Sequence, residues 1–207
     1  MGCGIVLLAA GASSRMGRPK QLLMYQGKTL LDHSITSAKK SRAKKIVLVI
    51  GANEDAIIKS VTSHGITIVK NEYWEQGMSS SIKAGLQNLL TEDPAIESVI
   101  FMACDQPFVT AVLLNKLIDT HEQIQKPIVA SSYGNSAGIP ALFDKTIFAS
   151  LMTLTGDKGA KKIISQHPDL VHTIEFAEGN SDIDTISDYE QLLKQTTGEI
   201  IKFDKRG

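Results

Sequence analysis

One stretch near the start of the sequence combines the residue types that bind phosphate. A short apolar run, 5–8, is bounded by small residues and is typical of a buried strand. Gly11 and the serine pair 13–14 follow it, and then come two cations, Arg15 and Lys20. Small residues let backbone N–H groups approach a ligand closely, and successive N–H groups in such a turn form an anion-binding concavity. The spacing therefore predicts a cradle for a triphosphate.

Two common phosphate-binding loops are excluded by their spacing. The dinucleotide fingerprint G-x-G-x-x-G lies between a strand and a helix, whereas Gly2 and Gly4 precede the strand here and the spacing after Gly11 differs. The P-loop motif G-x-x-x-x-G-K-[ST] occurs nowhere in the sequence. The alternative to a cradle is a Gly/Ser turn beside two solvated cations.

A second candidate segment is the run 77–81, Gly-Met-Ser-Ser-Ser, which precedes a helix with apolar positions at 82, 86 and 89. Serines at a helix N-terminus suit contact with the base or ribose of a nucleotide. Ser79 alone would be enough to cap the helix. The three serines together therefore favour ligand contact, with plain capping as the alternative.

Two aspartates stand where a metal ion that accompanies phosphate would bind. Asp105 directly follows the apolar strand 99–102, and ligands of open α/β sheets bind outside the carboxyl ends of the strands. Asp184 precedes Thr185, a good N-cap for the last helix, with Asp188 in the first turn. Mg²⁺ is commonly held by one or two carboxylates together with substrate phosphates. The alternatives are an Asx-turn at Asp105 and aspartates that only favour the dipole of the last helix.

The elements that position these residues alternate between strands and helices. Apolar runs predict buried strands at 5–8, 46–50, 66–69, 99–102 and 128–130. The run 170–176 alternates apolar and polar residues and predicts a strand at an edge or in a mixed part of the sheet, and 133–140 predicts a flexible loop or an ordinary hairpin. Helical patterns begin near Thr29, Glu54, Ser79, Thr110 and Thr185. This alternation indicates an α/β fold with a mostly parallel sheet and helices on both faces, in one domain over 1–207.

Composition argues against several classes of partner. Lys+Arg and Asp+Glu count 22 each, so no global charge points to nucleic acid or to an anionic membrane. No apolar run reaches about 18 residues and the N-terminus lacks a basic leader, so we expect neither a membrane span nor a signal peptide. Cys3 and Cys104 are too few for a disulfide framework, which favours a reducing cytoplasm. We interpret Cys104 as a small buried residue and not as a nucleophile.

Several motifs together resemble the MobA-like branch of the nucleotidyltransferases, which handles the molybdenum cofactor. The longest is L-A-A-G-x-S-x-R-M-G-x-x-K at 8–20. The others are G-M-S-S-S-x-x-x-G-L at 77–86, D-Q-P at 105–107, G-x-P-x-L-F at 138–143, G-D-x-G-A at 156–160 and D-I-D-T at 182–185. The resemblance covers nearly the whole chain and implies a Rossmann-like fold of the GT-A type.

The resemblance also implies roles for individual residues. Those implied to bind the nucleotide are Ala9, Ala10, Gly11, Ser13, Ser14, Arg15, Lys20, Ser79, Ser80 and Ser81. Arg15, Lys20 and Asp105 are the implied catalytic residues, and Asp105 and Asp184 are the implied ligands of Mg²⁺. Lys158 or Lys161 is a weaker candidate for contact with the phosphate of the acceptor.

The implied reaction is attack by an acceptor phosphate on the α-phosphorus of a nucleoside triphosphate, which releases pyrophosphate. Positioning and neutralisation of charge carry such a transfer, and no general base is expected because the acceptor phosphate is already anionic. The motif L-A-A-G, where guanylyl-transferring relatives tend to have L-A-G-G, favours CTP, and molybdopterin is the implied acceptor. The alternatives are a sugar or polyol phosphate as acceptor, and a non-catalytic accessory protein that helps a molybdenum hydroxylase to mature.

Overall fold

A computed structural model describes residues 2–62, 65–134, 136–180 and 182–197. The strands in these ranges are β1 (Gly2–Leu8), β2 (Met24–Tyr25), β3 (Lys28–Thr29), β4 (Lys45–Ile50), β5 (Thr67–Lys70), β6 (Ile96–Ala103), β7 (Ile128–Tyr133), β8 (Ser136–Asp144) and β9 (Val171–Glu175). The α-helices are α1 (Leu30–Lys40), α2 (Glu54–Ser60), α3 (Met78–Glu92), α4 (Ala111–Ile124), α5 (Phe148–Met152), α6 (Gly159–Gln166) and α7 (Ile186–Thr197). No described helix is long and apolar enough to cross a membrane. The predicted domain limits, 1–207, include positions outside the described ranges.

Seven strands form one sheet in the order β5-β4-β1-β6-β8-β7-β9. β1 pairs in parallel with β4 and β6, β4 with β5, and β7 with β9, whereas β8 runs antiparallel to β6 and β7. The short strands β2 and β3 form a separate antiparallel pair. Parallel strands need crossover connections, and helices supply most of them. The predicted α/β class is confirmed, and so is the edge position of the strand predicted at 170–176.

The segment 133–140 is part of a hairpin, so the expectation of a flexible loop is wrong and the alternative of an ordinary hairpin is correct. β8 begins at Ser136, which pairs with Tyr133 of β7, and the ladder continues to Phe143 opposite Ile128. Gly138 and the small residues around it have weak strand propensity. Pairing with β7 overrides this propensity, because strand formation depends on the neighbouring strand more than on intrinsic preference.

Both faces of the sheet are covered by helices, which gives two apolar layers. Side chains alternate along a strand, so Ile5 and Leu7 belong to one layer while Val6 and Leu8 belong to the other. The first layer includes residues of α1, α2 and α4, and the second includes residues of α3, α5 and α6. Every residue of β1 is buried. A strand covered on both faces carries a continuous apolar run, and this is the pattern that the sequence shows.

In a third apolar cluster, residues of α7 pack against the N-terminal part of the chain. Its buried members come from both ends of the described sequence: Met16, Leu23, Tyr25, Leu30, Ile183, Tyr189 and Leu192. The hydroxyl of Tyr189 also donates to the carbonyl oxygen of Met24 at 2.6 Å, and the N–H of Ile183 donates to the carbonyl oxygen of Asp105 at 3.0 Å. The segment before α7 therefore lies beside both the loop after β1 and the end of β6.

Threonine side chains cap three of the helices whose starts the sequence predicts. The side-chain oxygens that accept a backbone N–H three residues on are those of Thr29, Thr110 and Thr185. The alternative of plain capping by Ser79 is wrong, because α3 begins at Met78 and no side chain caps it. The preceding residue, Gly77, has a φ of 91°, and a Cβ there would lie 2.7 Å from the backbone of Gly156. This close approach requires glycine and fixes where α3 starts.

Gly85 lets α3 pack directly on the sheet, and its replacement tests that packing. A Cβ at this position would lie 2.9 Å from Cγ2 of Val49 and would also collide with Val6. Both valines are fully buried and β-branched, so they have little room to rotate. We expect Gly85→Ala to lower the free energy of unfolding by about 1–3 kcal/mol, although alanine favours helix more than glycine does.

Urea denaturation measures this change. Gln87→Ala, on an exposed position of the same helix, is the control and should alter the free energy of unfolding by less than about 0.5 kcal/mol. Equal stability of the Gly85→Ala variant and the unaltered protein would contradict the packing argument.

Candidate active site

A cavity of about 400 Å³ opens at the carboxyl ends of β1 and β6. The residues around it include the stretch 8–12, Lys20, Trp74, Met78 and Asp105. Ligands of open α/β sheets bind at this edge. Of the predicted nucleotide-binding residues on the first loop, those that line the cavity are Ala9, Ala10, Gly11 and Lys20, and those in the turn just beyond it are Ser13, Ser14 and Arg15.

The loop after β1 is held in shape by the buried side chain of Gln21. Its Nε2 donates to the carbonyl oxygens of Ala9 at 2.9 Å and of Gly11 at 3.0 Å. Ser13 completes the arrangement, since its Oγ donates to Oε1 of Gln21 at 3.4 Å and accepts from the N–H of Lys20 at 3.0 Å. A sharply turned loop cannot pair its own carbonyl groups, and Gln21 supplies the missing donor.

Sequence reasoning missed Gln21. The signal was a glutamine directly after the predicted cation Lys20, beside a small-residue loop whose carbonyl groups need a partner.

Lys20 is the centre of a cluster of charged side chains at the cavity. Its Nζ forms ion pairs with Asp105 and with Asp184, the latter at 3.0 Å. Arg15 reaches the other carboxylate oxygen of Asp184 at 3.1 Å. The four residues predicted to carry the chemistry therefore lie together, although they come from opposite ends of the sequence.

The charge cluster sets the protonation of its members. Burial acts to lower the pKa of Lys20, but the charges and hydrogen bonds of Asp105 and Asp184 raise this pKa above its ordinary value. Burial acts to raise the pKa of Asp184, but hydrogen bonds and charges of Lys20 and Arg15 hold it below its ordinary value. Lys20 is therefore cationic and Asp184 anionic at neutral pH.

Cys104 lies next to this cluster and is buried. Burial and the charge of Asp105 raise the pKa of the Cys104 thiol to about 12. A thiol is a nucleophile only as its thiolate, so Cys104 is a structural residue, as predicted.

Asp184 reaches the cluster because its backbone is fixed on both sides. On one side, the N–H of Ile183 donates to the carbonyl oxygen of Asp105 at 3.0 Å. On the other, the carboxylate of Asp188 accepts from the N–H groups of Asp184 at 3.1 Å and Thr185 at 2.7 Å. The cap of α7 and the end of β6 thus position Asp184 together.

The donor set fits a divalent cation. Asp105 and Asp184 both contact the same ammonium group, so they are close enough to share a metal ion. Carboxylate oxygens suit Mg²⁺, which completes its coordination with water and substrate phosphates. Within 2–62, 65–134, 136–180 and 182–197, no group of three or more His, Cys, Asp or Glu side chains forms a metal site. An ion at this position would therefore take part of its coordination from a bound phosphate.

The three serines of α3 are buried, and two of them are bound by Asn71. Nδ2 of Asn71 donates to Oγ of Ser80 at 2.8 Å and to Oγ of Ser81 at 3.0 Å. Of the three, Ser81 lines the cavity, whereas Ser79 does not and Ser80 lines a separate cavity beside Tyr73. Consecutive residues of a helix point in directions about 100° apart, so three adjacent serines cannot all face one ligand.

A second cavity, of about 440 Å³, adjoins the first. The residues that line both are Met78, Ala103, Asp105 and Asp157. The second cavity is also lined by Tyr133 and Gln106 and by the two weaker candidates, Lys158 and Lys161. The site therefore consists of two connected chambers that meet at Asp105.

A polar pair that sequence reasoning missed forms part of the second cavity. Nε2 of Gln106 donates to the carbonyl oxygen of Ile139 at 3.1 Å and to Oδ1 of Asp182 at 2.9 Å. Desolvation and the charge of Asp105 raise the pKa of Asp182 to about 6. The signal for both residues was their place within the D-Q-P and D-I-D-T motifs.

The sheet, the loop after β1 and the carboxylates at the strand ends define a nucleotide-binding α/β protein with a Rossmann-like nucleotidyltransferase fold. The sequence matches the model of the MobA-like NTP transferase domain over residues 5–171. The chain therefore belongs to the MobA-like nucleotidyltransferase family.

Two similar proteins, one of them in two crystal structures, show how far the likeness extends. The chain is 31% identical over 197 residues to nicotine blue oxidoreductase of Paenarthrobacter nicotinovorans, which covers 91% of this chain and 95% of that protein. The crystal structure of Rv0371c from Mycobacterium tuberculosis H37Rv superposes with a TM-score of 0.81 at 30% identity, covering 93% of this chain and 98% of that one. The complex of Rv0371c with manganese gives a TM-score of 0.80 at 28% identity, covering 95% and 100%. The predicted family and fold are confirmed.

Replacing Gln21 tests its role in shaping the first loop. Gln21→Glu keeps the size of the side chain, but a carboxylate cannot donate to the carbonyl groups of Ala9 and Gly11. We expect the free energy of unfolding to fall by about 1–3 kcal/mol, the cost of leaving buried polar groups unsatisfied. We also expect weaker binding of CTP, because the loop loses its shape.

Urea denaturation and calorimetric titration with CTP measure the two effects, and Gln87→Glu on exposed α3 is the matched control. Unchanged CTP affinity in a destabilised Gln21→Glu variant would contradict a positioning role for this residue.

Proposed function

We propose that this protein transfers a nucleoside monophosphate from a nucleoside triphosphate to the phosphate of molybdopterin or the molybdenum cofactor, with release of pyrophosphate. The observation that carries the proposal is the cluster of Arg15, Lys20, Asp105 and Asp184, of which Lys20 lines the first cavity and Asp105 lines both. Pure binding of a nucleotide does not require two cations and two carboxylates in one place. Phosphoryl-type transfer does, because it depends on positioning and on neutralising negative charge.

The first cavity suits the triphosphate. Backbone groups of the loop around Gly11 would contact the phosphates, since such a turn forms an anion-binding concavity. Arg15, which is well exposed, and Lys20 would offset the charge of the α-phosphate and of the departing pyrophosphate. Ser81, the serine of α3 that lines this cavity, would contact the nucleoside.

Asp105 and Asp184 are the residues that would hold Mg²⁺. A bound Mg²⁺ would supply Lewis-acid polarisation of a phosphoryl oxygen and would offset negative charge on the phosphates. The manganese complex of the related Rv0371c supports use of a divalent cation at this fold.

The second cavity suits the acceptor. Lys158 and Lys161 lie in its wall and would attract an anionic phosphate group toward Asp105. We assign no general base, because a phosphate acceptor is already anionic at neutral pH.

CTP is the favoured donor. The support is the motif L-A-A-G, in which Ala10 stands where guanylyl-transferring relatives tend to have glycine, and Ala10 lines the first cavity.

Two related proposals use the same site. A sugar phosphate or polyol phosphate in the second cavity would give the same transfer with another acceptor. An accessory role in maturing a molybdenum hydroxylase would use the cavities for binding alone. Both fit a reducing cytoplasm, which the free cysteines Cys3 and Cys104 favour.

A second candidate function is oxidoreduction, which the relative named nicotine blue oxidoreductase favours. Such a reaction needs an electron donor, and the loop after β1 lacks the dinucleotide fingerprint. Absorbance of NADH or NADPH in the presence of nicotine blue tests this function. Consumption of reduced nicotinamide that depends on the protein, without pyrophosphate release from any nucleotide, would favour oxidoreduction over nucleotidyl transfer.

Pyrophosphate release tests the favoured proposal. Purified protein with Mg²⁺ and reduced molybdopterin is expected to release pyrophosphate faster from CTP than from GTP, ATP or UTP. Sugar and polyol phosphates in place of molybdopterin identify another acceptor. Absence of release with every nucleotide and acceptor, with the pterin kept reduced, would overturn nucleotidyl transfer.

Asp105→Asn separates catalysis from binding. We expect kcat for pyrophosphate release to fall by at least about 100-fold, because a metal ion at the phosphates contributes several kcal/mol of charge stabilisation. Asp119→Asn is the control, since Asp119 pairs with Arg42 on the surface and should leave kcat unchanged. An accessory protein would instead support its hydroxylase equally well with either substitution.

A further inference from the structure

The ammonium group of Lys20 lies at the point where the two carboxylates converge. It contacts Oδ2 of Asp105 and Oδ1 of Asp184, and Arg15 takes the remaining oxygen of Asp184. The side chains of Lys20 and Asp105 are only 18% and 14% exposed. The ammonium group of Lys20 therefore lies between the carboxylates that would hold the divalent cation.

Two cations cannot share this position. A divalent ion on Asp105 and Asp184 would displace the ammonium group from both partners. The displaced charge would then lie close to the ion in a partly buried site, where repulsion between like charges is poorly screened. Binding of the metal alone must therefore overcome both the lost ion pairs and this repulsion.

A bound triphosphate would end this competition between the two cations, because it gives the ammonium group of Lys20 another anionic partner. The backbone of Lys20 is tied to Ser13 Oγ at 3.0 Å and is followed by the buried Gln21. Its flexible four-carbon stem can swing from the carboxylates to a phosphate in the adjoining cavity while the backbone stays in place. The ammonium group then binds an anion beside the metal instead of competing with it.

We propose that Lys20 occupies the cation position between Asp105 and Asp184 in the nucleotide-free protein and excludes divalent metal until a triphosphate draws it away. The inference rests on the proposed role of these two aspartates as metal ligands. Metal and nucleotide then bind with positive coupling, and by linkage each increases the affinity for the other by the same factor. Lys20 is the residue that couples them.

Titration of Mn²⁺ in the absence of nucleotide, followed by electron paramagnetic resonance of the free ion, tests this role. The unaltered protein is expected to bind Mn²⁺ weakly. Lys20→Met removes the competing charge and is expected to bind Mn²⁺ alone at least about tenfold more tightly, within the usual range of coupling between sites. Lys20→Arg keeps the charge and should bind Mn²⁺ as weakly as the unaltered protein.

The expected effect on nucleotide binding has the opposite sign. Lys20→Met should bind CTP with Mn²⁺ more weakly than the unaltered protein does, because the triphosphate loses a cation. A lysine with a merely structural role would weaken both kinds of binding when it is removed. A lysine that contacts phosphate alone would leave the affinity for Mn²⁺ without nucleotide unchanged.

Further variants show where Mn²⁺ binds in Lys20→Met and test whether misfolding explains the result. Adding Asp105→Asn or Asp184→Asn to Lys20→Met should abolish the tight binding of Mn²⁺. Lys20→Gln is a second neutral variant, and circular dichroism confirms that each variant is folded. Mn²⁺ should also raise the melting temperature of Lys20→Met by more than that of the unaltered protein, because a ligand stabilises the state that binds it.

Two results would overturn the inference. One is that neither neutral variant binds Mn²⁺ alone more tightly than the unaltered protein. The other is that Lys20→Arg gains as much affinity as Lys20→Met, since charge would then not be the cause. These titrations contain no nucleotide or acceptor, so they give their answer even if the protein proves not to transfer nucleotides.

Discussion

The site depends on the pairing of one ammonium group with two carboxylates. Lys20 follows the first loop, Asp105 ends β6, and Asp184 precedes α7. Carboxylates this close repel each other, and the repulsion grows as neighbouring atoms exclude water. A cation between them removes the repulsion, and taking it away would leave partly buried charges uncompensated. Three distant segments of the chain can therefore meet here, because the lysine balances the charge of the two carboxylates.

Packing and backbone hydrogen bonds bring these charges within reach of one another. Ion pairs near the surface are weak and fix little geometry by themselves. The cluster around Tyr189 holds α7 against the N-terminal part of the chain, and the N–H of Ile183 ties the segment before α7 to the end of β6. Gln21 fixes the loop that carries Lys20. The backbone is thus set by apolar contact and amide hydrogen bonds, and electrostatics decides where the charged side chains lie on it.

The sequence predicted the parts of the structure that local patterns encode. Strands buried on both faces are continuous apolar runs, and capping threonines mark helix starts, so β1, β4, β6 and the N-termini of α1, α4 and α7 agree with expectation. The expectation for 133–140 failed because β8 is specified by its neighbouring strand. The position of Lys20 between two carboxylates could not be predicted from the sequence, for a related reason. The sequence predicted that Arg15, Lys20, Asp105 and Asp184 would lie close together. Only the structure shows that the ammonium group of Lys20 lies between the two carboxylates.

The two cavities are lined by different segments of the chain and so contribute different determinants of function. The first is built from the loop after β1 and the start of α3, which carry the motifs at 8–20 and 77–86. The second is lined from β7, β8 and the start of α6, and its polar groups include Tyr133, Lys161 and the Gln106–Asp182 pair. Function resides in such side chains and not in the fold that carries them. Asp105 and Asp157 both line the two chambers, so under the proposed function an acceptor in the second chamber would meet the phosphates in the first beside these two carboxylates. Under the proposed function, replacing other side chains of the second chamber would therefore change the choice of acceptor while leaving the ion pairs of Lys20 in place.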